Sequence, residues 1–346
     1  MAIDVTVFGA GIFGLSCAWA LARRGARVQV IDPAGVGAGA SGGIVGALAP
    51  HVPEQWNDKK AFQLDSLLMA EAWWADVVQA GGGAPGYART GRLQPIPDAE
   101  ALTRAEARGV GAAELWRGQA VWDVVAAPDD WSPGTAQVIR DTLSARIHPR
   151  RACDALAAAI CATGGRIETS GEARGLTLHA TGWTGLAAMT DTQGRAAGGG
   201  VKGQAVLLDL DRRDLPQLYA DGLHIVPHAD GTTAIGSTSE RDFDRTGTDA
   251  QLDTVLARAV AAVPALAAAR VLTRWAGVRP RARSRAPLLG PWPGRPGHFI
   301  ANGGFKIGFG MAPKVAEVMA DLMLTGQGDI PEAFGTAGLA PGPGRD

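Results

Sequence analysis

Asp4-Val5-Thr6-Val7-Phe8-Gly9-Ala10-Gly11-Ile12-Phe13-Gly14 begins as a short apolar run, which reads as a buried strand, and continues as glycines in G-x-G-x-x-G spacing. Ala18, Leu21 and Gly25 follow at helical spacing, and Val28-Gln29-Val30-Ile31 reads as a second strand that stops on Asp32. Strand, tight turn, helix, strand and terminal acid together form a dinucleotide-binding fingerprint. Gly9 makes the turn, Gly11 lets backbone approach a pyrophosphate, and Gly14 lets the helix sit close on the strand. The N–H groups at the helix start, from Ile12 and Phe13 onward, then face the phosphates. Asp32 accepts hydrogen bonds from ribose hydroxyls and disfavours a 2′-phosphate by charge. A glycine-rich turn in some other α/β protein is the plainer alternative. It leaves Asp32, Ala18 and Gly25 as coincidences. The motif alone does not separate NAD from FAD.

A chain of 346 residues is longer than one compact core usually holds, which favours two domains. Hydrophobic content of 46% against 19% charged residues fits a folded protein, and a net charge of -1 gives no general pull toward nucleic acid or membrane. Cys17, Cys153 and Cys161 show neither metal-ligand nor C-x-x-C spacing, so no metal is expected. Their sparse, odd number fits a reducing compartment. The start lacks a basic n-region, and the apolar run from Val5 to Ala22 is broken by glycines, so neither a signal peptide nor a membrane span is expected. The expected location is the cytoplasm.

Further along, residues 33–57 form a long loop rich in Gly, Ala and Ser, a length that usually signals function. A helix is expected over 58–80, with Phe62, Leu64, Leu67, Leu68, Trp73, Val77 and Val78 facing the core and Trp73 and Trp74 as packing residues. Strands are expected at 91–97, 166–169, 175–180, 201–210, 271–278 and 298–301. Helices are expected at 99–107, 149–163, 250–263 and 309–324. The segment 114–133, with three tryptophans, has no clear pattern. Residues 224–228 and 232–235 read as a hairpin turning at Asp230-Gly231. Thr181-Gly182 is a small-residue turn where backbone can approach a ligand. The chain beyond Gly328 reads as a loose tail. Helices and strands alternate early and late, while the middle is more antiparallel. This implies an α/β architecture: a Rossmann-like nucleotide-binding domain from 1–85, 135–200 and 275–346, with an inserted antiparallel-sheet domain from 86–134 and 201–274.

Three blocks carry a resemblance to a known family. They are the fingerprint from Gly9 to Asp32; the loop Gly39-Ala40-Ser41-Gly42-Gly43 through Ala47-Leu48-Ala49-Pro50; and a C-terminal block. The last reads Trp275-Ala276-Gly277-Val278-Arg279-Pro280, Pro287-Leu288-Leu289-Gly290 and Asn302-Gly303-Gly304-Phe305-Lys306-Ile307-Gly308-Phe309-Gly310-Met311-Ala312-Pro313. Over nearly its whole length, in the order and spacing of these blocks, the chain resembles the FAD-dependent D-amino acid oxidase and glycine oxidase group.

The resemblance implies non-covalent FAD, since no cysteine lies where the sarcosine oxidase relatives attach flavin. It implies cofactor contacts from Gly9, Gly11, Ile12, Phe13, Gly14, Asp32, Ser41, Gly42, Ala47, Leu48, Thr181, Gly182, Gly304, Gly308, Phe309 and Gly310. It implies that Arg279, in the family's G-[LV]-R-P strand, clamps a substrate carboxylate through its two-pronged fork. The alternative for Arg279 is a surface charge in a basic run, since Arg281, Arg283 and Arg285 follow; those three are expected in a solvated loop or at the cofactor edge. Lys306 falls where relatives tend to carry arginine. It reads either as a cation near flavin or substrate or as a solvent-pointing loop residue. His224 falls where relatives often place a tyrosine that touches the carboxylate. It reads either as a replacement donor or as a strand histidine at the domain interface. His51 reads as a loop histidine near the flavin face.

The implied activity is oxidation of a small amino acid, of glycine or D-amino acid type, at its C–N bond by hydride transfer to flavin N5. The partners are a small amine or amino acid and oxygen or another electron acceptor, with no nucleic acid and no membrane; the oligomeric state, a homo-oligomer included, stays open. Alternatives are a dehydrogenase of the same fold with a non-oxygen acceptor and a flavin oxidase of tRNA modification. A nicotinamide-dependent dehydrogenase and a non-enzymatic nucleotide sensor are the others.

Overall fold

The computed structural model describes residues 3–342. The first third of the chain builds β1 (Val5–Phe8), α1 (Ile12–Ala22), β2 (Val28–Ile31), β3 (Ala47–Leu48), α2 (Asp58–Gln79), β4 (Arg92–Pro95) and α3 (Ala99–Leu115). The middle builds β5 (Trp122–Ala126), β6 (Gln137–Asp141), β7 (Ala145–Arg146), α4 (Pro149–Ala162), β8 (Arg166–Glu168), β9 (Leu176–His179) and α5 (Gly182–Ala188). Then follow β10 (Gly198–Asp209), β11 (Gln217–Ala220), β12 (Leu223–Pro227), β13 (Thr233–Gly236) and α6 (Gln251–Ala262). The chain closes with β14 (Arg270–Ala282), β15 (Leu288–Pro291), β16 (His298–Asn302) and α7 (Gly308–Thr325).

Two large sheets organise these elements. One is six-stranded, in the order β15-β16-β9-β1-β2-β8. It is parallel except at β15, which runs antiparallel to β16. A parallel sheet needs both faces covered. Here α1 packs against α4 and α7, and α2 against α7. Every residue of α1 is buried, as expected of a helix that is apolar all round and enclosed by neighbours.

The other sheet is eight-stranded, in the order β14-β10-β13-β12-β11-β4-β6-β5. It is antiparallel apart from the β11–β4 pair. One face carries α6, whose Leu252, Val255 and Ala259 share a buried cluster with Val206, Leu208, Leu218, Ile225 and Ile235. The long strand β14 pairs with β10 along its length, and its last residue, Ala282, lies against Gly303, which follows β16 of the six-stranded sheet.

The elements differ from the sequence expectations in a few places. The helix expected over 99–107 continues to Leu115 because Gly109 and Gly111 are contact points rather than ends. A Cβ at Gly109 falls 2.9 Å from the Trp122 carbonyl oxygen, and one at Gly111 falls 2.5 Å from that of Pro53. Short strands β6 and β11 were not foreseen. β6 lies within 135–200, expected in the nucleotide-binding part, yet pairs with β4 and β5 of the eight-stranded sheet. β14 likewise carries 275–282 into that sheet. On α2, Val78 is 44% exposed, while Trp74 takes a core position. The segment expected to be a loose tail packs down instead. Phe334 is fully buried edge-on to Phe62, and Leu339 joins a cluster with Leu186 and Ile300. Residues 343–346 of that segment lie outside the described residues. No helix among the described residues is long and apolar enough to cross a membrane.

Candidate active site

The β1–α1 turn is built by contact as much as by conformation. Gly9 has φ of +107° and its missing Cβ would sit 2.3 Å from the Ala180 carbonyl oxygen. A Cβ on Gly14 would sit 1.9 Å from the Gly9 carbonyl oxygen. Both positions therefore need glycine for the helix to start where it does. The first N–H groups of α1 lack intrahelical acceptors. One of them, Ile12 N–H, donates to Ser41 Oγ at 2.9 Å, so the long loop is pinned to the helix start. Asp32 is braced too: its Oδ2 accepts from Ala10 N–H at 2.8 Å and its Oδ1 from Ala34 N–H at 3.0 Å.

A cleft of about 530 Å³ opens over this turn and runs to the eight-stranded sheet, a volume within the range of cofactor sites, about 300–1,000 Å³. Gly9, Gly11, Ile12, Phe13, Asp32, Ser41, Ala47, Thr181, Gly182, Gly304, Gly308, Phe309 and Gly310 line it, and so do Arg279 and Lys306. Gly14, Gly42, Leu48 and His224 do not. Gly14 serves the helix packing just described. Gly42 folds the loop on itself, since its Cβ would meet the Gly37 carbonyl oxygen at 2.3 Å. Leu48 is a core residue.

Arg279 projects from β14, opposite Val201 of β10. Its guanidinium lies over Gly203, where a Cβ would come within 2.0 Å of Nη1. Nη2 donates to Ser237 Oγ at 2.6 Å and Nη1 to the Thr238 carbonyl oxygen at 3.3 Å. Among the described residues no carboxylate lies within ion-pair distance of it. Burial pulls its pKa down to about 10, opposed by the more distant charge of Glu240. A partly desolvated cation without a counter-charge is costly, and Arg279 lines the cleft.

Behind Arg279 sits a part-buried network the sequence did not suggest. Lys202 Nζ bridges Asp249 Oδ2 at 2.7 Å and Glu240 Oε2 at 3.1 Å. Gln204 Nε2 donates to the same two carboxylates, and the Thr238 hydroxyl also meets Glu240. This network fixes the Ser237–Thr238 segment that holds the guanidinium.

Lys306 follows Phe305, whose backbone is held at φ of +45° while its N–H donates to the Pro280 carbonyl oxygen at 3.0 Å. The lysine is exposed at the cleft mouth. Partial desolvation, then the charges of Arg279 and Arg281, lower its pKa. His224 is half-buried behind the cleft against Tyr219, with ring centroids 4.7 Å apart. Its Nδ1 has no hydrogen-bond partner among the described residues. Burial, with Arg92 and Lys306 nearby, pushes its pKa down to about 3, so the ring is neutral at ordinary pH. His51 is held by Gln63 on α2 and stays off the cleft lining.

Sequence reading missed Trp183, Ser237, Asn302 and Phe305 as cleft residues. Asn302 is the informative one. Its Nδ2 donates to the Gly182 carbonyl oxygen at 2.9 Å and its Oδ1 accepts from Gly303 N–H at 2.8 Å, which ties the end of β16 to the Thr181-Gly182 turn. An Asn directly before a Gly-Gly turn was the available signal.

The donor set fits FAD. Asp32 suits the ribose hydroxyls, the α1 start suits the pyrophosphate, and the glycines of 303–310 admit a flat ring close to backbone. A cleft between a parallel nucleotide-binding sheet and an antiparallel sheet, with a half-buried guanidinium at its far end, defines a two-domain flavin-dependent oxidoreductase. Residues 4–322 match the family model DAO, FAD dependent oxidoreductase, and the chain belongs to that family. It is 29% identical to a glycine oxidase of Pseudomonas putida over 93% of this chain and 95% of that one. It is 30% identical to a tRNA 5-methylaminomethyl-2-thiouridine biosynthesis bifunctional protein of Maricaulis maris over 99% of this chain and 55% of that one. Its fold matches the crystal structure of glycine oxidase from Geobacillus kaustophilus with a TM-score of 0.82 and 20% identity, covering 96% of this chain and 98% of the other.

Proposed function

We propose that this chain oxidises a small amino acid at its C–N bond, with Arg279 holding the substrate carboxylate. The observation that carries the reading is the half-buried Arg279 guanidinium, which lacks a carboxylate partner among the described residues and opens on the same cleft as Gly9, Asp32 and the 303–310 turn. Two parallel hydrogen bonds from such a fork fix a carboxylate in position and plane. Ser237 and Thr238 occupy the guanidinium's other side and keep it from turning away.

FAD supplies the hydride acceptor when bound. The chain supplies orientation and charge. Arg279 anchors the carboxylate so that the α-hydrogen has one approach. Lys306 adds positive charge at the mouth. His224, neutral and off the cleft lining against Tyr219, serves in this reading as a strand histidine and not as a base. The amine loses a hydride from carbon and a proton from nitrogen, and water then hydrolyses the imino acid to the oxo acid and ammonia or amine. The electron acceptor is oxygen or a carrier. The antiparallel sheet is the substrate-binding part and the parallel sheet the FAD-binding part.

The test is anaerobic bleaching of the holoenzyme's flavin absorbance by glycine, sarcosine, D-alanine and L-proline. Bleaching by at least one supports the reading, and colour returning on admission of air identifies oxygen as the acceptor. A flavin that none of them reduces contradicts it, and the similarity to a tRNA-modifying protein then directs attention to a larger amine.

A further inference from the structure

The loop between β2 and β3 is anchored to both large sheets. One anchor is Ser41, whose Oγ accepts from Ile12 N–H at the start of α1. The other lies in Gly43-Ile44-Val45-Gly46-Ala47. Gly43, Val45, Gly46 and Ala47 line the cleft, while Ile44 between them is buried. Strands of the eight-stranded sheet clasp this stretch. The Trp275 indole of β14 reaches Gly43, with Cη2 3.3 Å from the position of a Gly43 Cβ. Val45 Cγ2 stands 2.9 Å from the position of a Gly236 Cβ at the end of β13.

At Ile44 the clasp is polar. Its carbonyl oxygen accepts from His228 Nε2 at 2.8 Å, a buried contact between residues 184 apart in the chain. His228 directly follows β12, is 1% exposed and does not line the cleft. Its backbone N–H donates to the Thr232 carbonyl oxygen at 2.7 Å, which fixes where the ring starts from. Nε2 carries the hydrogen, since it meets a carbonyl, and Nδ1 is left without a partner among the described residues. The His148 ring packs against it with centroids 4.8 Å apart. The nearby Asp230 is engaged by Arg151 and Thr232. A carbonyl left unpaired in a buried residue is costly, so the position of Ile44 depends on the imidazole.

We propose that His228 is a positioning residue for the cofactor: by holding the Ile44 carbonyl from the antiparallel sheet, it sets the cleft-lining stretch 43–47 in place for FAD. The affinity for FAD then depends on a side chain outside the cofactor's cleft. This rests on the cleft holding FAD. Reach separates the role from packing alone. A glutamine amide brings its nitrogen to where the imidazole has Nε2; an asparagine amide is one carbon too short.

The experiment titrates FAD by fluorescence into the apoproteins of wild type, His228→Gln, His228→Asn and Ile235→Val, and unfolds each apoprotein in urea. Ile235 lies in the same hairpin, in the buried cluster beneath α6, and its variant controls for a weakened hairpin. His228→Asn should weaken FAD binding by about fivefold or more, as expected for one lost buried hydrogen bond, while His228→Gln stays within about twofold of wild type. Ile235→Val should lower the urea midpoint and leave FAD affinity unchanged. An Asn variant that binds FAD as tightly as wild type overturns the proposal. So do Gln and Asn variants weakened equally, or an Ile235→Val variant weakened as much as His228→Asn. A wild-type apoprotein that takes up no FAD overturns the cofactor reading along with the proposal, a result distinct from FAD binding that is indifferent to reach.

Discussion

Arg279 carries most of the functional argument, and its surroundings make specific demands. Arg279→Lys keeps the charge but loses the planar fork. It should retain the flavin spectrum while KM for the amino acid rises, read by steady-state kinetics on the reconstituted enzyme. Ser237→Ala removes one of the two contacts that orient the guanidinium. It should weaken substrate binding by about 1–2 kcal/mol, or roughly 5- to 30-fold in KM, with kcat less affected. An unchanged KM would remove Ser237 from the positioning role. Arg279 and Lys306 were visible in the sequence because each sits in a motif of fixed spacing. His224 was visible as a departure from the family pattern but its place was not. A strand residue's face depends on register with β11 and β13, and register is set by partners distant in sequence. Ser237 and the Lys202–Glu240–Asp249 network were hidden for the same reason.

At the scale of elements, the α1 start and the loop that caps it act as one unit. Ser41→Ala deletes the acceptor for Ile12 N–H. It should cost about 1 kcal/mol of stability and weaken FAD binding, measured by urea unfolding of the apoprotein and by flavin fluorescence titration. Equal FAD affinity in the variant would show that the loop does not set the nucleotide end.

The hairpin β12–β13 contributes a pH dependence. His228, at the end of β12 and 1% exposed, shares a hydrogen bond through Nε2 with the Ile44 carbonyl oxygen at 2.8 Å. Burial pushes its pKa down to about 4 from 6.5; His148 and Arg146 act in the same direction, while the Ile44 contact and Asp230 oppose it. The unfolded chain therefore binds a proton that the folded one refuses between these values. Stability should be fully present above pH 6.5 and fall as pH drops toward about 4, by roughly 3 kcal/mol from this group. Urea midpoints across that range check it, and His228→Gln should flatten the slope. Long periodic elements such as α2, α4 and α7 were legible in sequence because their apolar spacing repeats over several turns. β6 and β11 are short and sit between loops, and the glycines of α3 mimic an end while serving close contacts.

For the whole molecule, two sheets meet at one cleft, whose lining runs from Gly9 and Asp32 to Arg279 and would hold FAD. Removing FAD should therefore lower stability by mass action, by about 3 kcal/mol when the cofactor stands near a hundredfold above its Kd. Thermal unfolding of holoprotein and apoprotein at several FAD concentrations measures this, with Tm rising with concentration. The architecture was legible from the fingerprint and the alternation of elements. The packed C-terminal segment was not, because a Gly- and Pro-rich composition conceals the few residues, Phe334 and Leu339, that anchor it.

The most direct measurement is anaerobic flavin reduction by sarcosine and by dimethylamine, its counterpart without a carboxylate, in wild type and Arg279→Met. The account predicts that sarcosine reduces the wild-type flavin far faster than dimethylamine, and that Arg279→Met keeps its FAD but loses that preference, with sarcosine reduction slowed by about 100-fold or more. A variant that still prefers sarcosine to the same degree would contradict it and place the carboxylate elsewhere in the cleft.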